Sequence, residues 1–479
     1  PNEPLYAGIQ VGATLQMTLD TKVASGNLDV GLDQGEPVFP LVYSIYKQNS
    51  IGSLTVTNNE SAEIRDVVVS FRAGNYTSSL MLCGAAGMIA KQESIQVPLY
   101  ADFSDTIQNF TENGKMPGEA VITYTLLGEK REVSKTIVIP VYNRNTVRWT
   151  DSAVIASFIS PNAPEVLDYS KYIVGIARDK LRTGLNRNMQ FAMYLFEGLK
   201  IGGLSYSNDA ATPYVAYHLD PEKLDYVQYP FQTLAYHSGD YDDMGILYAA
   251  ALESVGIRTA IIPLKGDFVV AFSLGIAVDD AEALFSSTDS LLTIADELWI
   301  PVSFSRLREG FMNSWAYAVS DINAAVAGSQ NLDFIILSEA WKTYPPASIT
   351  GSEASFQKPV ESSVNRAVDT DLMRYITAEF GPKIRKIQAE IKSSGGSVKL
   401  HNQLGILFIR AGMYEEAKAE YSKAAGMKSA SAMVNLGNIA LLEKDYPTAD
   451  KWFRKALEID PESKSAKNGL NRTATEVEE

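Results

Sequence analysis

Between residues 40 and 141 apolar and polar side chains alternate with a period of two, the pattern of strands with one face in a core and the other in water. The clearest runs are 53–57, 66–71, 120–125 and 136–141, and turn-forming clusters such as Asn58-Asn59-Glu60-Ser61 and Met116-Pro117-Gly118 lie between them. Short strands broken by frequent turns predict a two-sheet antiparallel sandwich. Beyond Trp149 the apolar spacing lengthens to three and four, as in Val174, Ala177 and Leu181, and predicts helices over 152–160, 164–181 and 188–198. After an aromatic-rich loop, 213–230, comes a helix over 241–255 closed by Gly256, then strands over 258–263 and 268–274. That order predicts a helix packed on an antiparallel sheet. The helical spacing returns over 369–393 and continues to the C-terminal region.

From residue 404 the apolar positions repeat. Leu404-Gly405, Phe408, Gly412, Tyr414, Ala417, Tyr421 and Ala424 are followed, thirty-two residues later, by Leu436-Gly437, Ala440, Tyr446, Ala449, Phe453, Ala456 and Pro461. Small residues let paired helices approach, aromatic rings fill the space between them, and Pro461 stops the second helix of the repeat. The pattern resembles the tetratricopeptide repeat, with two departures: the first repeat is two residues short of the usual period, and Lys444 stands where the turn expects glycine. Such arrays resemble peptide- and protein-binding grooves, which makes Asn402, Asn435 and Asn438 candidate binding residues. A short array can instead dock on the neighbouring domain. Two repeats are fewer than independent stability usually needs, so helices over 369–393 and 464–472 are expected to supply neighbours, the last as a solvated cap.

The helix over 241–255 opens on Gly239-Asp240-Tyr241-Asp242-Asp243. This resembles the nucleophile site of transglutaminase-like, papain-type cysteine enzymes, in which Gly-Asp-Cys-x-Asp opens a helix. Here Tyr241 stands at the cysteine. A helix N-terminus stabilises a thiolate, lowering a thiol pKa from about 8.5 toward neutrality. A phenol near pKa 10 gains far too little from the same dipole. The resemblance covers roughly residues 152–345 and implies that Asp267, after Pro263-Leu264-Lys265-Gly266, holds the histidine position. It puts Ser303, after Trp299-Ile300-Pro301-Val302, at the position of the acid. All three positions are therefore degenerate, and the expectation is a pseudoenzyme.

Rescue from elsewhere in the chain is limited. Its single cysteine, Cys83, lies in the strand-rich region, and the histidines are His218, His237 and His401. Of these, His237 is four residues before Tyr241. In the resembled family the loop before the motif approaches the active-site cleft, so Tyr214, Tyr217 and Tyr229 are candidates for stacking on a ligand, or for packing. The acids Asp240, Asp242 and Asp243, with Asp267, also admit a hard-cation reading. Capping outweighs it: Asp240 is a natural N-cap, and negative charge in a first helical turn complements the dipole. Their spacing matches no known calcium loop, and no metal or cofactor is expected.

Composition narrows the picture further. A chain of 479 residues, 46% hydrophobic and 21% charged, suits about three soluble domains. A net charge of −15 argues against a nucleic-acid partner, because phosphate neutralisation needs a basic protein surface. No run of eighteen apolar residues occurs, so no segment suits a transmembrane helix. The expected organisation is an immunoglobulin-like β-sandwich in architecture only, without the Cys…Trp…Cys spacing, over 1–145. A degenerate transglutaminase-like α+β domain follows over 146–350, then a linker with a helix over 351–394, and all-α tetratricopeptide repeats with a capping helix over 395–479. The functional expectation is a non-catalytic bacterial scaffold that meets protein or peptide partners through the repeats. The competing expectation is a hydrolase or ligand-binding protein reusing the acidic, aromatic-lined cleft. A periplasmic or otherwise exported setting follows from the resemblance, and oligomeric state is not constrained.

Overall fold

The computed structural model describes residues 26–33, 35–208, 214, 220, 223–347, 349 and 356–478. The chain divides between Arg144 and Asn145 into two compact units. In the first, strands β1 (Leu28–Asp33), β2 (Gly52–Asn58) and β5 (Ser94–Leu99) form one antiparallel sheet in the order β1-β2-β5. Strands β3 (Ile64–Arg72), β4 (Met81–Ile89), β6 (Gly114–Leu126) and β7 (Glu129–Val141) form a second, in the order β4-β3-β6-β7. Each strand has one apolar face, so neither sheet is stable alone; Leu54, Val56, Val97 and Leu99 of the first share a core with Val67, Val69, Phe71, Ile122 and Ile139 of the second.

One sequence expectation is corrected here. Met116-Pro117-Gly118 is not a turn but the start of β6. Pairing with β3 begins only at Glu119, whereas pairing with β7 runs from Gly114, so Pro117 sits where one side of the strand has no ladder partner. Its missing N–H costs no hydrogen bond there.

The second unit contains a five-stranded antiparallel sheet of β8 (Thr259–Leu264), β9 (Asp267–Ala277), β10 (Leu292–Ile294), β11 (Glu297–Ser303) and β12 (Ile335–Ile336), ordered β10-β11-β9-β8-β12. From Asp267 to Leu274 every residue of β9 is buried, because helices cover both faces of this central strand. Helix α1 (Pro164–Ala177), α2 (Arg187–Ile201), α3 (Pro230–Tyr236) and α4 (Tyr241–Ser254) precede it, and α5 (Phe311–Ala327) follows. Helix α4 lies very close to β9: a Cβ on Gly245 would stand 2.4 Å from the Phe268 ring. On the other face, Val269 and Ala271 pack with Ala318 and Ile322 of α5. The helix expected over 152–160 is instead a 3-10 segment, Ser152–Phe158, started by the Asp151 carboxylate accepting from Ala153 N–H.

The single helix expected over 369–393 is two, α6 (Glu361–Glu379) and α7 (Gly381–Ser394). Pro382 breaks the ladder, since it has no N–H and fits only a first helical turn. The α5 N-terminus draws α6 onto the core: Phe311 N–H donates to Glu197 Oε1 at 3.0 Å and to Asp371 Oδ2 at 2.9 Å. Two carboxylates thus share the positive end of one helix dipole.

Four helices then form two hairpins, α8 (Val398–Arg410) with α9 (Tyr414–Gly426) and α10 (Ala430–Leu442) with α11 (Tyr446–Ile459). The closing helix α12 (Lys464–Glu478) runs further than expected and is not wholly solvated, because Ala466 and Thr473 are buried. The array also docks on the rest of its unit, with Arg410 Nη2 donating to Ala283 O at 2.8 Å. The first hairpin turns through Gly412 at φ +67°, and the second through Lys444 at φ +59°. A side chain in the left-handed region is strained, so Lys444→Gly should raise stability by on the order of 1 kcal/mol in urea unfolding. No gain, or a loss, would contradict that reading of the turn.

Candidate functional site

Helix α4 opens in a capping box. The Asp240 carboxylate accepts from the N–H three residues on, and Asp243 Oδ2 accepts from Asp240 N–H at 3.3 Å. The same two acids hold neighbouring chain segments, Asp240 Oδ2 accepting from Tyr214 N–H at 3.1 Å and Asp243 Oδ1 from Gln228 N–H at 2.6 Å. Asp240, Asp242 and Asp243 are all buried, at 5%, 1% and 3% exposure. Burial and mutual repulsion push the Asp242 and Asp243 carboxyls well above the usual aspartate range.

Tyr241, the first residue of the helix, packs at a tilt against Tyr206 with ring centroids 4.6 Å apart. Burial, and then the nearby Asp267 carboxylate, raise its phenol above the ordinary value, so ionisation is harder than in water. Asp267 begins β9 and is 2% exposed. Its Oδ1 accepts from Phe268 N–H at 2.8 Å, while Oδ2 is buried without a hydrogen-bond partner. Pairing of Val269 with Ser303 brings the fully buried Ser303 alongside, and α5 contributes Asp321 to the same place. Burial pushes Asp267 up to about 6, with Asp321 adding to the rise and the Ser303 hydroxyl opposing it. Asp267 thus has Tyr241, Ser303 and Asp321 as neighbours.

What the arrangement can do chemically is narrow. A phenol held protonated beside a carboxyl titrating near neutrality offers proton exchange, not the thiolate attack that the motif's helix end would favour. Cys83 is buried in the first unit with its thiol pushed up by burial. His401 is held in the first hairpin, its Nδ1 2.6 Å from Glu420 Oε2. His237 occupies the left-handed end of α3, and its carbonyl accepts from Ser205 N–H at 3.0 Å. His218 lies outside the described residues.

Of the loop tyrosines, Tyr214 and Tyr229 take the packing alternative. Tyr214 is 0% exposed and packs edge-on against Trp149 and Phe268, and Tyr229 is 1% exposed against Phe158. Both rings are core, which leaves no face for a ligand. Tyr217 lies outside the described residues. An accessible ring beside half-buried Tyr241 is Tyr206, 42% exposed, with Arg306 over the Tyr317 ring at 4.3 Å nearby. Neither Tyr206 nor Asp321 stands out in the sequence, because each reaches the site only through the fold.

Of the repeat asparagines, Asn402 ties the hairpins together, Nδ2 donating to Ser429 Oγ at 3.1 Å and Ser431 Oγ at 3.2 Å. Asn435 is half-buried and Asn438 exposed on α10. The exposed apolar residues Ile406 of α8 and Leu442 of α10 lie on the first helices of the two hairpins.

The paired helices, small residues at their crossings and aromatic fillers define a class of helical-hairpin repeat. Residues 398–431 and 430–463 each match the family model of the tetratricopeptide repeat, which overlaps by two residues as the short first period requires. No curated protein matches the chain. Among the described residues no helix is long and apolar enough to cross a membrane.

Proposed function

We propose that this protein is a non-catalytic scaffold in which the tetratricopeptide hairpins bind a protein or peptide partner. The two repeats carry the reading, since tetratricopeptide repeats suggest protein interaction and the first helices here leave Ile406, Asn438 and Leu442 uncovered. The domain before them is read as a degenerate transglutaminase-like core, supported by a helix opening on Gly239-Asp240-Tyr241 packed on an antiparallel sheet, and by the absence of thiol and imidazole from positions 241 and 267. The first unit is read as an immunoglobulin-like spacer, supported by two antiparallel sheets around one core. An exported, periplasmic setting goes with that reading.

The test is partner recovery from the source organism's extract with the double variant Ile406→Glu, Leu442→Glu. Both positions are exposed, so circular dichroism should be unchanged while recovery falls by at least about tenfold, the loss of a modest hot spot. Undiminished recovery would sink the repeat-binding claim.

One observation favours a second reading. The unpartnered Asp267 Oδ2 beside Asp321 is a carboxyl pair of the kind that hydrolases use as acid and base. An activity abolished by Asp267→Asn, in a protein at least as stable as the parent, would establish it over the scaffold.

A further inference from the structure

We infer that Asp240, Asp242 and Asp243 hold a hard divalent cation, calcium in preference to magnesium, at the start of helix α4. Their carboxylate oxygens lie within 4.8 Å of one another, and all three residues are buried. Two of them have a complete structural role already, as the capping and loop-holding acids. Asp242 does not. Its side chain is 99% withdrawn from solvent by the 1% exposure of the residue, its carboxyl faces that of Asp240, and its Oδ1 is buried with no hydrogen-bond partner. Capping explains Asp240 and Asp243 but leaves this atom with nothing to satisfy it, and a buried carboxylate oxygen without a donor or cation is strongly unfavourable.

The existing hydrogen bonds prepare the oxygens and do not exhaust them. A carboxylate has about four lone-pair sites, of which Asp240 and Asp243 use only some, on the N–H groups of Tyr214, Gln228 and Asp240 and on the α4 cap. The N–H donors hold both carboxylates close to Asp242. Calcium–oxygen distances of about 2.3–2.6 Å place opposite ligands about 4.6–5.2 Å apart, while magnesium at about 2.0–2.1 Å allows no more than about 4.2 Å and demands a near-regular octahedron. The three oxygens, all within 4.8 Å of one another, fit inside the longer-bonded calcium shell. Calcium also tolerates the irregular shell that three neighbouring aspartates, completed by water or carbonyl oxygens, would provide.

The site has its own reporter. The Trp149 indole stands 5.6 Å from the Tyr214 ring, and Tyr214 N–H is bonded to Asp240. Terbium, a luminescent stand-in for calcium, would be excited through these rings. Full-length protein stripped with a chelator should bind terbium saturably at one site, release it to calcium more readily than to magnesium, and show a calcium-dependent rise in its thermal midpoint. Asp242→Asn should weaken binding by more than the roughly tenfold that even an outer-shell loss costs, and the exposed control Asp280→Asn should leave it unchanged. Absence of saturable binding to the parent protein at millimolar calcium, a preference for magnesium, or equal losses in the two variants would each overturn the assignment. Because the parent titration is decisive without any variant, a misfolded Asp242→Asn would not rescue it.

Discussion

Phe453→Ala is expected to unfold the second hairpin, at a cost of about 3–5 kcal/mol. The ring is fully buried and lies between two glycines from different helices: a Cβ would stand 2.6 Å from it at Gly437 of α10 and 2.4 Å at Gly469 of α12. One side chain therefore fills the space among three helices, and its removal opens a cavity that rigid neighbouring backbones cannot close. Because each repeat is stabilised mainly by its neighbours, the loss should spread to α12 and weaken the first hairpin. Hydrogen exchange would show protection lost across α10 to α12, with β8 to β11 retained. A destabilisation under about 1 kcal/mol would mean that the repeats relax around the cavity, contrary to the close glycine contacts.

The second large effect is pH-dependent. Asp267 has its carboxyl raised from 3.8 to about 6, by burial first and by Asp321 second, while Tyr241 lies beside it. The folded state therefore holds the proton more tightly than the unfolded chain does. Its contribution is intact below about pH 3.8 and is lost as the pH climbs through about 6, amounting to about 2–3 kcal/mol at pH 8. Asp267→Asn keeps an oxygen for Phe268 N–H and supplies N–H donors toward Asp321. The variant should be more stable than the parent by about 2–3 kcal/mol at pH 8 and nearly equal to it at pH 4. Urea unfolding at the two pH values measures this, and a difference independent of pH would show that Asp267 ionises freely in the fold.

These two sites were not equally legible. Phe453 can be picked out from sequence because Gly437, Ala449 and Ala456 recur at the spacing that close helix packing needs, and the short first period survives as the two-residue overlap of the matched repeats. The Asp240 cap is legible for the same local reason, since an aspartate before a helix and an acid three residues on satisfy free N–H groups within one turn. By contrast, the sequence pattern misplaces Met116-Pro117-Gly118 and Pro382. A proline signals a break, but only the pairing of its neighbours decides whether it ends a strand, starts a helix or sits harmlessly at an unpaired edge.

The division follows the range of the forces involved. Periodicity, caps and repeat spacing depend on residues a few positions apart, so the strand-rich first part, the helix at Tyr241 and the paired helices after residue 398 are all written in the chain's own pattern. Burial depends on residues far apart in sequence. Only the tertiary structure could turn Tyr214 and Tyr229 into core, leave Tyr206 accessible beside Tyr241, bring Asp321 to Asp267, and strand the Asp242 Oδ1 atom without a donor. A carboxylate's chemistry is set by what surrounds it, and those surroundings are assembled from segments that no local pattern connects.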